Sequence, residues 1–280
     1  MRADQLLVER GLAGSRSQAA RLIAGGLRWR LGEAWHTVAK SGEAVPPSAE
    51  LELADAAEAR YVSRGGLKLA GALAASGVDP RGKRCLDVGQ STGGFTDCLL
   101  QHGAAHVTGV DVGHGQLHPR LAADPRVRPI EKCNARHLVA ADLAASGAGE
   151  AGDADRSGPL FPLIVGDLSF ISLTLVLPAL APLLMPGGDL LMLAKPQFEL
   201  QPALIGKGGI VRDAALHAQV EQRLRQACGA LGLAVQAWLD SPIAGGDGNR
   251  EFFLHARLAP RPGESDNDNP GASHGPAPEL

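Results

Sequence analysis

The 280-residue chain has only four cysteines, and Cys85, Cys98, Cys133 and Cys228 stand far apart with no C-x-x-C pair among them. That scatter implies neither a zinc site nor a disulfide framework and fits a reducing compartment. Charge of one sign is also missing: the formal net charge is −3, so the chain as a whole is no polycation and any nucleic-acid surface must be local. No long apolar run is present. The greasiest stretch, Leu173 to Met185, falls short of the ~18 residues that a membrane span needs, and Pro178 and Pro182 interrupt it. The opening Met1-Arg2-Ala3-Asp4 has no apolar core of a secretory signal. These absences predict a cytoplasmic globular protein with no membrane partner. A hydrophobic content of 45% is ample for the core of one large or two modest domains.

What is present centres on the run from Cys85 to Asp97, CLDVGQSTGGFTD. A buried-strand pattern ends at Asp87, passes through Gly89 and turns at Gly93 and Gly94 into a helix. Glycines let the backbone approach a ligand, and a helix N-terminus offers it free N–H groups, which is the layout of a nucleotide-type cofactor loop. A second carboxylate, Asp111, ends the apolar run His106 to Val110. It falls at about the 20-residue spacing at which a carboxylate holds a ribose diol in such folds. Asp87 has a plainer reading as a helix cap.

From Arg81 onward, strand-like runs alternate with helical ones: Arg84 to Val88, His106 to Val110, Leu160 to Val165, Asp189 to Leu193, Ala234 to Leu239 and Glu251 to His255. The pattern predicts an α/β fold, a doubly wound Rossmann-like sheet, over residues 81–258. Residues 144–159 read as a Gly/Ala/Asp loop and 259–280 as a disordered tail. Residues 59–80 read as a linker and a first helix, with Lys68 just before a helix running from Leu69 to Ala75.

Residues 1–58 read as a separate small α+β module. Leu6, Leu7 and Val8 sit in a short helix ended near Gly11, and Ser15 to Gln18 is a capping-box start for a second helix that Gly25-Gly26 stops. From Met1 to Ser48, Arg2, Arg10, Arg16, Arg21, Arg28, Arg30 and Lys40 outnumber Asp4, Glu9, Glu33 and Glu43, a local net charge of +3. Through Leu6 to Leu12, Ser15 to Ile23 and the later Gly25, Gly26 and Gly32, the segment resembles the S4 RNA-binding domain. It departs at Arg30-Leu31-Gly32, where that family has a polar Val-Asn-Gly turn. The resemblance makes Arg2, Arg10, Arg16, Arg21 and Arg28, with Arg64 beyond the module, the expected RNA contacts. An ordinary solvated helix face is the alternative. Arg28 and Arg30 flanking Trp29 favour RNA, because an aromatic between guanidinium groups can stack on bases.

Four further residues carry chemistry: Lys68, Asp167, Lys195 and Glu251. Asp167 and Lys195 follow adjacent candidate strands, and Glu251 starts the last one; strand ends are where parallel sheets bind ligands. In order along the chain come Val62-Ser63-Arg64-Gly65-Gly66-Leu67-Lys68, Asp87 to Phe95, Asp111 to Leu117, Asn134-Ala135-Arg136, Asp167 to Leu173 and Lys195 to Glu199. Through these motifs the chain from Arg2 to Arg257 resembles the TlyA family of ribosomal RNA 2'-O-methyltransferases, which join an S4 domain to a methyltransferase domain like that of FtsJ. The resemblance implies S-adenosylmethionine as cofactor and ribosomal RNA or ribosomal subunits as partner. It implies a catalytic tetrad of Lys68, Asp167, Lys195 and Glu251, and a cofactor site of Asp87, Gly89, Ser91, Gly93, Gly94, Phe95, Asp111 and Asn134. Gly208 to Asp213 is similar to a family loop near the site, where Lys207 and Arg212 read either as phosphate contacts or as an ordinary exposed loop.

Methyl transfer from a sulfonium to a ribose hydroxyl is an in-line displacement that needs a positioned, partly deprotonated alcohol. A free lysine titrates near ~10.4, so a lysine accepts that proton only if burial or a neighbouring cation lowers the value; otherwise it stabilises the developing alkoxide. A lysine–carboxylate mixture suits a hydroxyl. An exocyclic amine would suit an Asn-Pro-Pro-aromatic loop, and the chain has Asp167-Leu168-Ser169-Phe170 there, with neither proline. His106, His114 and His118 lack a shared helix-face spacing, so no metal is expected. Two other classes stand beside the enzyme: a non-catalytic RNA-binding or ribosome assembly factor, and a haemolysin, a label that TlyA-like proteins have carried.

Overall fold

A computed structural model describes residues 1–53, 60–144 and 160–259. The module boundary at 58, the loop beyond Ala144 and the tail beyond Ala259 lie outside the described residues. In the N-terminal part, α1 (Ala3–Glu9) and α2 (Arg16–Ala24) pack against a three-stranded antiparallel sheet of β1 (Leu27–Arg30), β2 (Trp35–Thr37) and β3 (Glu50–Leu53), in the order β2-β1-β3. Ser15 caps α2 as its motif predicts: its side chain accepts the Gln18 N–H, and Gly25 closes the other end. Leu6, Leu7, Leu22, Ile23 and Leu27 form this module's own core.

The larger part is one seven-stranded sheet in the order β6-β5-β4-β7-β8-β10-β9. Its strands are β4 (Arg84–Val88), β5 (His106–Val110), β6 (Val127–Ile130), β7 (Phe161–Gly166), β8 (Leu184–Ala194), β9 (Leu233–Asp240) and β10 (Phe252–Leu258). β4 to β8 run parallel, whereas β10 is antiparallel to both its neighbours, so the sheet is mixed. Alternate residues feed two cores. Leu86, Ile164, Met192 and Leu254 point to one face, and Cys85, Leu163, Leu193 and Phe253 to the other. Burial on both faces is why these strands read as continuous apolar runs.

Three longer helices flank the sheet: α3 (Gly65–Ser76), α4 (Gly94–Gln101) and α5 (Ala214–Ala230). Lys68 is not ahead of a helix, as the sequence suggests, but inside the first turns of α3. Gly65 and Gly66 look like breakers yet belong to the helix, because a Cβ at Gly66 would stand 2.2 Å from the Tyr61 ring. Chain order starts at β4, moves outward to β5 and β6, then returns to β7 and β8 on the other side. The reversal leaves a crevice between β4 and β7, where open α/β sheets bind ligands.

Candidate active site

Strand ends converge on that crevice. Gly89 leaves β4, Asp111 follows β5, Asp167 follows β7 and Lys195 follows β8. Because β10 is antiparallel, its start lies at the same end of the sheet as the finish of β8: Phe252 pairs with Ala194, which sets Glu251 beside Lys195 along the ladder. Glu251 immediately precedes β10 rather than opening it.

Two ion pairs form at this end. Lys195 Nζ lies 2.6 Å from Asp167 Oδ1 and donates to Ser169 Oγ at 2.9 Å. Lys68 Nζ donates to Glu251 Oε2 at 2.6 Å, with the residues 7% and 4% exposed. All four residues singled out in the sequence therefore meet as two Lys–carboxylate pairs, one half-open and one buried.

The loop after β7 is held from behind by Glu199 of the Lys195–Glu199 motif. Its buried carboxylate accepts the Ser172 hydroxyl at 2.5 Å and the Leu173 N–H at 2.7 Å, and burial raises its pKa. This clasp joins the segments after β7 and β8. Apart from its place in the Lys195–Glu199 motif, nothing in the sequence marks Glu199 for this role. The loop also carries Phe170, 89% exposed with a positive φ of 63° and its ring centroid 5.0 Å from that of Phe198. A bulky residue so exposed in the left-handed region is held there against its preference.

A cleft of about 540 Å³ opens along the crevice, lined by Gly89, Ser91, Asp111, Asn134, Asp167 and Phe170 among others. A smaller one of about 180 Å³ adjoins it through Gly89, Ser91, Asp167 and Ser169, and reaches Ser63, Gly94, Phe95 and Lys195. Asp111 braces the rim, accepting the Ser91 N–H and the Gly113 N–H at 2.7 Å each. Asn134 Oδ1 accepts the Arg136 N–H. Gly89, at φ 86°, is forced by the close approach of the next loop: a Cβ there would lie 2.5 Å from the Asp167 carbonyl oxygen.

Two expected cofactor residues lie behind the wall. Gly93 (φ 94°) is the N-cap of α4, packed against Leu121. Asp87, one residue before the end of β4, is fully buried; its Oδ2 accepts the Thr96 hydroxyl at 2.6 Å, and Thr96 accepts from Gln90 Nε2. Through Thr96, whose hydroxyl and backbone N–H both donate to it, the Asp87 carboxylate meets the first turn of α4, in line with the plainer reading as a cap. Burial pushes its pKa up to about 7 against the lowering effect of Thr96.

The expected RNA-binding arginines have partners within the fold. Arg2 and Arg16 both pair with buried Asp4, holding its carboxyl far below the usual range. Arg10 donates to the carbonyls of Ala49 and Pro47, Arg21 to that of Ser17, and Arg64 to that of Ala244. Arg28 pairs with Glu52 and Arg30 with Glu50, and both guanidinium groups lie over Trp35, not around Trp29. The glutamates of β3 remove much of the local charge excess counted to Ser48.

Residues 61–258 match the model of the FtsJ-like methyltransferase family, a span that takes in α3 and Lys68. Over 256 residues the chain is 42% identical to the 16S/23S rRNA (cytidine-2'-O)-methyltransferase TlyA of Mycobacterium tuberculosis, covering 91% of this chain and 89% of that protein. It is 34% identical to a protein named Hemolysin A from Brachyspira hyodysenteriae, covering 91% and 99%. The solved structure of a hemolysin-named protein from Streptococcus thermophilus is 39% identical, with a TM-score of 0.69 over 92% of this chain and 88% of that one. Sheet order, crevice and family match agree, and the chain belongs to the FtsJ-like methyltransferase family.

Proposed function

We propose that the protein is an S-adenosylmethionine-dependent 2'-O-ribose methyltransferase acting on ribosomal RNA in the cytoplasm. The observation that carries this reading is the Lys195–Asp167 pair, 2.6 Å apart where the two clefts join. On this reading the Lys195 ammonium stands beside the hydroxyl that loses its proton.

The residues present suit the cofactor. A cleft of about 540 Å³ is of ligand size. Each Asp111 oxygen accepts one backbone N–H and keeps a lone pair free for a ribose hydroxyl. Asp111, Asn134 and Ser91 would hold the nucleoside end, with Gly89, Gly94 and Phe95 toward the reacting end. When bound, S-adenosylmethionine supplies an electrophilic methyl on sulfonium.

The chain's own residues do the rest. Lys195 is assigned to the 2'-hydroxyl: as a neutral amine it would receive the departing proton, and as the ammonium it stabilises the developing alkoxide charge while water takes the proton. Asp167 fixes the Lys195 ammonium. Lys68 and Glu251, a buried pair that lines neither of these two clefts, would act from behind the wall as a fixed charge arrangement that orients the segments around the sugar. Exposed Phe170 offers its ring to the base of the same nucleotide, since a ribose reaching Lys195 must bring its base out of the stack.

The test is labelled S-adenosylmethionine with unmodified ribosomal subunits, with Lys195→Ala run alongside. Label at ribose 2' positions, mapped by resistance to alkaline cleavage, is expected with the wild type and absent with a variant that still folds and binds cofactor. Near-normal turnover in Lys195→Ala would sink the assignment.

A further inference from the structure

Beside the tetrad, one buried side chain knots three segments together. Asn249 is fully buried with both polar atoms of its amide paired: its Oδ1 accepts the Val211 N–H at 2.8 Å, and its Nδ2 donates to the Gly209 carbonyl at 3.0 Å and to Asp247 Oδ2 at 2.8 Å. Asp247 also accepts from Gln197 Nε2 at 3.0 Å. Gln197 lies two residues after Lys195, and Asn249 two residues before Glu251. The knot therefore ties the chain leaving β8 and the chain entering β10 to the segment 206–212. A buried amide is held this firmly only when its polar groups are all paired.

The segment it anchors has a particular make-up. Lys207 and Arg212 are exposed, and among the described residues neither has a carboxylate partner, unlike Arg2, Arg16, Arg28 and Arg30. Between them Gly208 and Gly209 both adopt a φ of 79°, and a Cβ on either would meet nothing within 4 Å. These glycines serve the turn rather than packing, and they leave bare backbone between two unneutralised cations.

We propose that residues 206–212 form an arm that grips the RNA sugar-phosphate backbone beside the reacting ribose, with Lys207 and Arg212 on phosphates and Asn249 as the positioning residue that aims it. The inference rests on the RNA-methyltransferase reading and extends it to the substrate's backbone.

The test measures binding of the full chain to unmodified ribosomal subunits across a series of salt concentrations, beside KM for RNA and the dissociation constant for S-adenosylhomocysteine. Lys207→Ala/Arg212→Ala is expected to weaken RNA binding by about tenfold or more and to reduce the salt slope by about 1 to 2, while cofactor affinity stays at the wild-type value. Asn249→Ala keeps both cations and is expected to show the same slope change and a raised KM, with no further loss when combined with the double variant. Should Asn249→Ala not fold, Gly209→Val distorts the arm at its positive φ and is expected to give the same result. Unchanged affinity and slope in the double variant overturn the arm. A fall in kcat alone with Asn249→Ala overturns the positioning role. Binding is read without turnover, so a wild type that binds RNA with the expected slope but transfers no methyl keeps the arm and rejects the methyltransferase reading.

Discussion

Glu251 Oε2 stands 2.6 Å from Lys68 Nζ with both side chains buried, although 183 positions separate them in the chain. A buried ion pair adds little net stability over a hydrophobic pair, but removing one partner strands the other charge away from water. Lys68→Ala is expected to lower stability by about 3–5 kcal/mol. Lys68→Met combined with Glu251→Leu should recover most of that while methyl transfer stays lost, read by thermal melting beside activity. A double variant as unstable as the single one would show that packing, not the stranded charge, sets the loss.

Phe170 makes its contribution outside the fold. Its side chain is 89% exposed at φ 63°, so Phe170→Gly removes almost no buried surface and relieves the backbone. Stability is expected to stay within about 1 kcal/mol of wild type. Base–aromatic stacking is worth about 1–3 kcal/mol per base, so kcat/KM for RNA is expected to fall by about 5- to 150-fold, with Phe170→Tyr close to wild type. Unaltered kcat/KM in Phe170→Gly would remove the ring from substrate recognition.

Asp87 gives folding a pH signature. Its carboxyl is raised from the ordinary 3.8 to about 7 by burial, so the native state keeps a proton that the unfolded chain releases. Its contribution is full below pH 3.8 and is lost as pH rises toward 7, at a slope of up to about 1.4 kcal/mol per pH unit. Asp87→Asn, compared with wild type by denaturant unfolding across that window, is expected to lack this slope. Parallel curves for the two proteins would show that Asp87 does not titrate there.

Much of this was legible because fully buried strands leave plain tracks. β4 and β5 are short apolar runs whose ends the sequence marks correctly, and the Ser15 cap is a local signal for a local bond. In the sequence Lys68 reads as lying outside its helix because Arg64 offers no side-chain cap and two glycines follow it, and only the packing of Tyr61 on Gly66 explains those glycines. β6 carries no strand signal in the sequence, being a four-residue edge strand that contains Pro129, which only an edge tolerates. Strand direction and the pairing of Lys68 with Glu251 are tertiary facts with no local pattern. The same holds for the arginines: the sequence counts charges, but it does not say that Glu50 and Glu52 come to lie opposite Arg30 and Arg28.

The antiparallel placement of β10 also orders events in time. β9 has no neighbour in the sheet except β10, and β8 lacks its second partner until β10 arrives, so the last strand made among the described residues enters the interior of the sheet rather than extending an edge. A chain still emerging from the ribosome has Lys68, Asp167 and Lys195 long before it has Glu251. Until that final stretch docks, Lys68 has no counter-charge and the site is incomplete.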